Sequence, residues 1–338
     1  MKLKNDYYRN KSMRIIICYL ILGIVSLFLY LVLNSSVFAF DPNATKYVFV
    51  KKWGSRGTGD GQFHRIHDID FNPSETRLYA IDRDGNRIQV FDKNGTFLFK
   101  WGSNGTGDGQ FHVPYSVDVD AHGNVWVADR ENHRIQEFDK DGKFLFKFGS
   151  KGAGPGQFNN PRQVAVDKDL KFLYVVDSKN NRIQKFYTNG TFVKSWGTLG
   201  SGNGQFSLPV SVILDSQGNV IVNDRGTDRV QKFDPNGKFL LKFGSMGKGD
   251  GEFTEVEHMT TDKFNNIYVN DPQSGINGSG MPRVEKFDTD GHFITKFGSL
   301  GSGNGQFVDP EHNAVDSDGN VYITDRKNND IQEFKPVS

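Results

Sequence analysis

The chain has 338 residues, 36% of them apolar and 24% charged, which suits one large domain or two small ones. Lys and Arg number 41 against 40 Asp and Glu, so no chain-wide basic field exists to draw nucleic acid, and such a partner is not expected. The single cysteine, Cys18, lies in an apolar N-terminal segment and leaves the remainder without a disulfide or a cysteine metal site. A large domain needs no such staple, so this assigns no redox compartment.

Residues 1–14 form a short basic segment carrying Lys2, Lys4, Arg9, Lys11 and Arg14. An uncharged run of 19 residues follows, from Ile15 to Leu33, enough for one membrane-spanning helix. The basic flank favours an N-terminus inside, which places the rest of the chain on the extracytoplasmic side. Val37-Phe38-Ala39 has the form of a cleavage site, so the alternative is a signal peptide and a protein secreted after cleavage behind Ala39. The length of the apolar run favours the uncleaved anchor. Residues 34–45 then read as a linker. Sequons at Asn43, Asn94, Asn104, Asn189 and Asn277 are compatible with export and do not establish it.

From residue 46 to 335 the chain repeats. Gly-Gln-Phe ends at Phe63, Phe111, Phe158, Phe206 and Phe307, and Gly-Glu-Phe at Phe253, at spacings of 48, 47, 48, 47 and 54 residues. Each unit runs from a glycine loop into four short alternating segments separated by tight turns, the pattern of four strands. Asn94-Gly95, Asp141-Gly142, Asn189-Gly190, Asn236-Gly237 and Asp290-Gly291 occupy the last hairpin and accept the positive φ it requires. Six units of four strands predict an all-β fold, a six-bladed β-propeller. The last unit ends after its third strand, Asp330 to Phe334, and Lys46 to Gly54 is a fourth strand without the first three. Together they complete one blade and remove an open edge. Residues 336–338 read as a tail.

The units resemble NHL repeats, carried here by PRQVAVD, KFLYVVDS and NNRIQKF in the third unit and by equivalents in the others. The resemblance covers about residues 46–335. It implies the propeller fold, but such folds host unrelated activities. NHL propellers occur in tripartite-motif ubiquitin ligases, RNA-binding regulators, the extracellular sensor domains of some bacterial kinases, and the peptidyl-hydroxyglycine amidating lyase.

Several motifs have a plain structural explanation. Glycine loops such as Gly105-Thr106-Gly107-Asp108-Gly109 lack the helix N-terminus that a phosphate cradle needs; they are expected to link blades, with the closing Phe packed between them. Asp-Arg at Asp82-Arg83, Asp129-Arg130, Asp224-Arg225 and Asp325-Arg326, and the further Arg87, Arg134, Arg182, Arg229 and Arg283, could form a basic ring for RNA. Their near-uniform repetition instead predicts Arg–carboxylate braces in the hairpins. Asp82 to Asn86 begins like a calcium loop but lacks the later Glu, and turn chemistry accounts for it.

The positions where units differ carry more information about function. Two residues open each innermost strand: His67-Asp68, Tyr115-Ser116, Arg162-Gln163, Val210-Ser211, Glu257-His258 and Glu311-His312. Ring closure makes the fifth, sixth and first blades neighbours, so three histidines and three carboxylates gather in one sector of the channel mouth. His67, Asp68, Tyr115, Arg162, Glu257, His258, Glu311 and His312 are therefore the candidate ligand-binding residues, in a mouth expected to be solvated. Histidine and carboxylate are ordinary donors for a divalent metal, which is the one cofactor this set suggests. The fifth unit spans 12 positions from Asp271 to Arg283, against 5 from Asp82 to Arg87, an insertion bordering the same sector.

No nucleophile–base pair is evident, so no catalytic residue is assigned. The expected function is a non-enzymatic module that binds a protein, peptide or glycan on the loop face and contacts the membrane through its N-terminal helix. Oligomeric state is left open. The alternative, from the resemblance, is a metal-dependent lyase. The amidating lyase takes three zinc-binding histidines from alternate blades, each directly after the proline; here those positions hold His67, Arg162 and Glu257, or Tyr115, Val210 and Glu311. Only His67 matches, and Ile66 replaces its proline.

Overall fold

The computed structural model describes residues 45–272 and 280–337. The expected anchor at 15–33, the cleavage site at Ala39, the sequons at Asn43 and Asn277 and most of the fifth-unit insertion lie outside the described residues. Among the described residues, no helix is long and apolar enough to cross a membrane.

Six four-stranded antiparallel sheets form the blades of a propeller, and the only helical turns among the described residues are two short 3₁₀ segments, Ser178–Asn180 and Arg225–Thr227. The second blade shows the common plan: Pro114–Val119 innermost, then Val125–Asp129, Arg134–Phe138 and Phe144–Phe148 outward. Innermost strands of successive blades lie side by side around the channel, and Pro310–Val315 of the sixth blade lies against Ile66–Phe71 of the first. The sixth blade is completed by Lys46–Trp53, which pairs antiparallel with Asp330–Val337. That pairing joins Lys46 to Val337, so Pro336 and Val337 belong to the blade rather than to a tail beginning at residue 336.

The cores lie between blades because each sheet has two apolar faces and must cover both. Phe63, Phe111, Phe158, Phe206, Phe253 and Phe307 are all 0% exposed. Phe63, Ile69 and Phe91 of the first blade pack with Ala314, Tyr322 and Ile331 of the sixth. Full burial of one such side chain contributes about 1.5–3 kcal/mol. Beyond its pairing with Asp330–Val337, the closing strand is held by the fifth blade: Tyr47 stacks on Phe297 at 4.4 Å, and its hydroxyl meets that of Tyr268 at 2.9 Å.

The Gly-Gln-Phe loops are closed on themselves. Gly57 N donates to Phe63 O at 3.0 Å, and Gly59 N donates to the Gln62 side chain at 3.0 Å. The same bonds recur in the later loops, with Glu252 replacing Gln in the fifth. These amides are therefore not a cradle for phosphate. In the outer hairpin, Gly95 has φ +87°, and a Cβ there would stand 2.7 Å from the Trp53 indole of the neighbouring blade, so the turn and the blade packing both require glycine.

A chain lacking residues 46–53 is expected to melt well below the intact chain, because one face of the fifth-to-sixth blade core is uncovered at a cost on the order of several kcal/mol. Thermal unfolding followed by circular dichroism checks this, and an unchanged midpoint would refute closure by this strand.

Candidate functional site

Pairing slips by one residue at the start of the innermost strands. In the first blade Ile66 faces Asp82 and Ile69 faces Ala80; in the third Pro161 faces Asp177 and Val164 faces Val175; in the sixth Pro310 faces Asp325 and Asn313 faces Ile323. The second and fourth blades slip at the same place. Such bulges re-aim side chains. Here they let both opening residues of one strand reach the channel region.

The ring contacts join these residues into one cluster. His67 lies 3.9 Å from Tyr115 and 5.3 Å from His258, and His258 lies 4.8 Å from His312, all between ring centroids. His67 Nε2 is 3.3 Å from Glu311, and His312 Nδ1 is 2.8 Å from Asp68. The Arg162 guanidinium is 5.1 Å from the Tyr115 ring centre, and Glu257 is 2.6 Å from Arg225. All eight sequence-derived residues are thus brought together.

Two expectations change. The mouth was expected to be solvated, yet His67 and His258 are 0% exposed and His312 5%, because the six innermost strands converge here. The second opening positions vary as a binding site would, but several of them tie blades together. Asp68 accepts the Val117 amide at 2.9 Å, Gln163 accepts that of Val212 at 2.9 Å, and Ser116 and Ser211 accept those of Val164 and Met259 at 3.3 Å each. Asp68 is therefore an interblade acceptor that also fixes His312.

The arginines divide into two sets. Arg87, Arg134 and Arg182 donate through Nε to Asp82, Asp129 and Asp177 at 2.7–2.8 Å, the expected braces. The arginines directly after the second-strand aspartate do otherwise. Arg225 pairs with Glu255 and Glu257, and Arg326 with Asp309 at 2.7 Å and Glu311 at 2.6 Å. Arg83 and Arg130 approach the Tyr115 ring at 5.6 and 5.1 Å. Sequence reasoning missed these four as mouth residues. The available signal was that this position reads Ser178 and Pro272 in the third and fifth blades, whereas the bracing aspartate never changes.

Burial sets the protonation of the cluster. It holds the His67 and His258 pKa values well below the ordinary 6.5, reinforced by neighbouring histidines and arginines. Burial and then the Glu257 charge push the Glu311 carboxyl up to about 8, against the pull of Arg326. Both ring nitrogens of His258 lack a hydrogen-bond partner among the described residues. Among those residues, no three His, Cys, Asp or Glu side chains are arranged to hold a metal ion, so the suggested divalent cation has no assigned donor set.

The channel continues away from the mouth. A space of about 160 Å³ lies beyond His312 and Gln163, bordered by Asp70 and Asp118. It opens past Asp118 into a basin of about 800 Å³ at the other end, ringed by Asp120, Asp215, Asp262 and Lys263. The larger basin lies away from the variable cluster, and its lysines are engaged: Lys168 donates to Ser216 O at 3.0 Å and Lys263 to Ser317 O at 2.7 Å.

The lowered histidines and the raised Glu311 act oppositely on stability. Between the folded and unfolded histidine pKa values the unfolded state binds more protons, so stability falls as pH drops below about 6.5. Glu311 holds its proton in the folded state up to about 8, against 4.5 when unfolded, so its contribution is lost as pH rises between those values. Urea midpoints against pH should show a smaller acid loss in His258→Gln and a smaller alkaline loss in Glu311→Gln. Curves parallel to that of the parent chain would contradict the assignment.

A family model described as a 6-bladed beta-propeller matches residues 121–197 and 203–276. No curated protein matches the chain significantly. Among solved structures, a protein of unknown function from Bacteroides thetaiotaomicron is similar at 20% identity and a TM-score of 0.65, over 86% of this chain and 76% of that one. A streptogramin B lyase is similar at 14% identity and a TM-score of 0.59, over 86% and 99%. A catalytically inactive virginiamycin B lyase from Staphylococcus aureus, with quinupristin, is similar at 14% identity and a TM-score of 0.56, over 86% and 89%. At these identities the likeness is one of fold.

Proposed function

We propose that this NHL-like propeller is a non-enzymatic binding module that holds a protein, peptide or glycan at the channel mouth. The observation that carries the reading is His258: a buried imidazole, both nitrogens unpartnered, among side chains that differ from blade to blade. An unsatisfied buried polar group costs about 1–3 kcal/mol, and a ligand that completes its hydrogen bonds recovers part of that. The lyase alternative has less support. It calls for three histidines in alternate blades, and the matching positions supply only His67.

The test is to probe the detergent-solubilised full chain with arrays of short peptides and of oligosaccharides, then measure each hit by calorimetry. A hit should bind at least about tenfold more weakly to His258→Gln, the loss of one or two buried hydrogen bonds. Absence of any hit, or equal affinity for the variant, would overturn the reading.

The same proposal places the module outside the cytoplasm, on the strength of the basic residues before Ile15. Protease added to intact cells should digest the propeller, or the propeller should be found in the medium. Protection until the cells are lysed would contradict that placement.

A further inference from the structure

The mouth is electrically uneven. On the side of the fourth to sixth blades, each arginine is paired with two carboxyl groups, Arg225 with Glu255 and Glu257 and Arg326 with Asp309 and Glu311. On the side of the first three blades, Arg83, Arg130 and Arg162 surround Tyr115 with their guanidinium carbons 5.1–5.6 Å from one ring centre. Arg83 and Arg130 come from the turn after the second strand. In the third blade Ser178 holds that position, and the arginine is supplied instead by the innermost strand as Arg162.

These three charges are poorly compensated. Arg162 is 9% exposed, and its Nη1 has no hydrogen-bond partner among the described residues; neither have Arg83 Nε and Arg130 Nε. Arg162 has no carboxylate within ion-pair range among the described residues, and Asp84 and Glu131 stand 3.6 Å from Arg83 and Arg130, within that range but beyond a hydrogen bond. They are also turned outward, with side chains 41% and 35% exposed, and Glu131 accepts instead from Asn160 at 2.9 Å. Cation–π attraction to one tyrosine offsets only part of the cost of crowding three guanidiniums. Their planar forks fit the oxygens of carboxylate or phosphate.

We propose that Arg83, Arg130 and Arg162, grouped around Tyr115, form a subsite for a compact oxyanion of the ligand, a carboxylate or a phosphoryl group. The proposal rests on the reading that the mouth binds a ligand and adds the charge that ligand carries. A carboxylate would come from a peptide terminus, an acidic side chain or a uronic acid, and a phosphoryl group from a phosphorylated sugar or peptide.

The test is calorimetric titration of the detergent-solubilised full chain with inorganic phosphate and, separately, with acetate and succinate, against sodium chloride at matched ionic strength. Saturable binding of at least one probe is expected, weakened about tenfold or more in Arg130→Gln and in Arg162→Gln. The probe that binds more tightly assigns the oxyanion. In anion-free buffer Arg162→Gln should melt at the same temperature or higher, since it removes an uncompensated buried charge. Binding no stronger than chloride, parental affinity in both variants, or a markedly lowered melting temperature for Arg162→Gln would overturn the subsite. A peptide or glycan bound at the mouth with affinity untouched by both substitutions would remove the subsite and leave the binding reading standing. Oxyanion binding that both substitutions abolish, with no peptide or glycan found, would keep the subsite and overturn the choice of ligand.

Discussion

The aspartate that ends each second strand organises this propeller. Asp82, Asp129, Asp177, Asp224, Asp271 and Asp325 are 0% exposed. Each accepts the backbone amide just after the loop phenylalanine, from His64, His112, Asn159, Ser207, Thr254 and Val308. In the first blade the second carboxylate oxygen accepts Arg87 Nε at 2.8 Å, and that arginine reaches on to the carbonyls of Thr58 and Gln62 at 2.7 and 2.8 Å. One buried ion thus fixes where the chain leaves the glycine loop and where it joins the innermost strand. Its charge is tolerable there because backbone dipoles and a guanidinium satisfy it.

That fixed arrival point makes the bulge that follows it reproducible, and the bulge turns two consecutive side chains toward the channel. One of each pair can then be used for assembly. Asp68, Ser116, Gln163 and Ser211 do this with unlike chemistry, each accepting an amide from the next blade. The other is released from repeat constraints, and there the blades diverge into His67, Tyr115, Arg162, Val210, Glu257 and Glu311. Variation at the mouth is therefore a consequence of uniformity one turn away.

The sixth blade shows how the scaffold yields to the mouth. Where the other blades carry a bracing arginine, it carries Asp330, and Asp325 keeps the asparagine bond, from Asn328 at 2.8 Å, that Asn132 and Asn180 add to the arginine in the second and third blades. Its Arg326 is directed to Asp309 and Glu311. Thr324 donates to the His67 carbonyl at 2.8 Å, joining the sixth blade to the first at the cluster itself. The blade completed by Lys46–Trp53 also supplies Glu311 to His67 of the first blade, and the first blade returns Asp68 to His312 of the sixth.

The repeat, its number, the closure by Lys46–Trp53 and the gathering of three histidines and three carboxylates from the fifth, sixth and first blades were legible in the sequence, because strand period, turn glycines and loop phenylalanines are local and recur six times. Three features depended on the tertiary structure. The burial of His67 and His258 follows from six strands converging on one axis, which no single repeat records. The separation of Arg87-type braces from Arg83-type mouth residues depends on which way two nearly adjacent side chains leave a turn. The interblade role of Asp68 depends on an amide 49 residues away. Sequence pattern reports what each strand repeats; only packing between strands decides which partner a charged side chain meets.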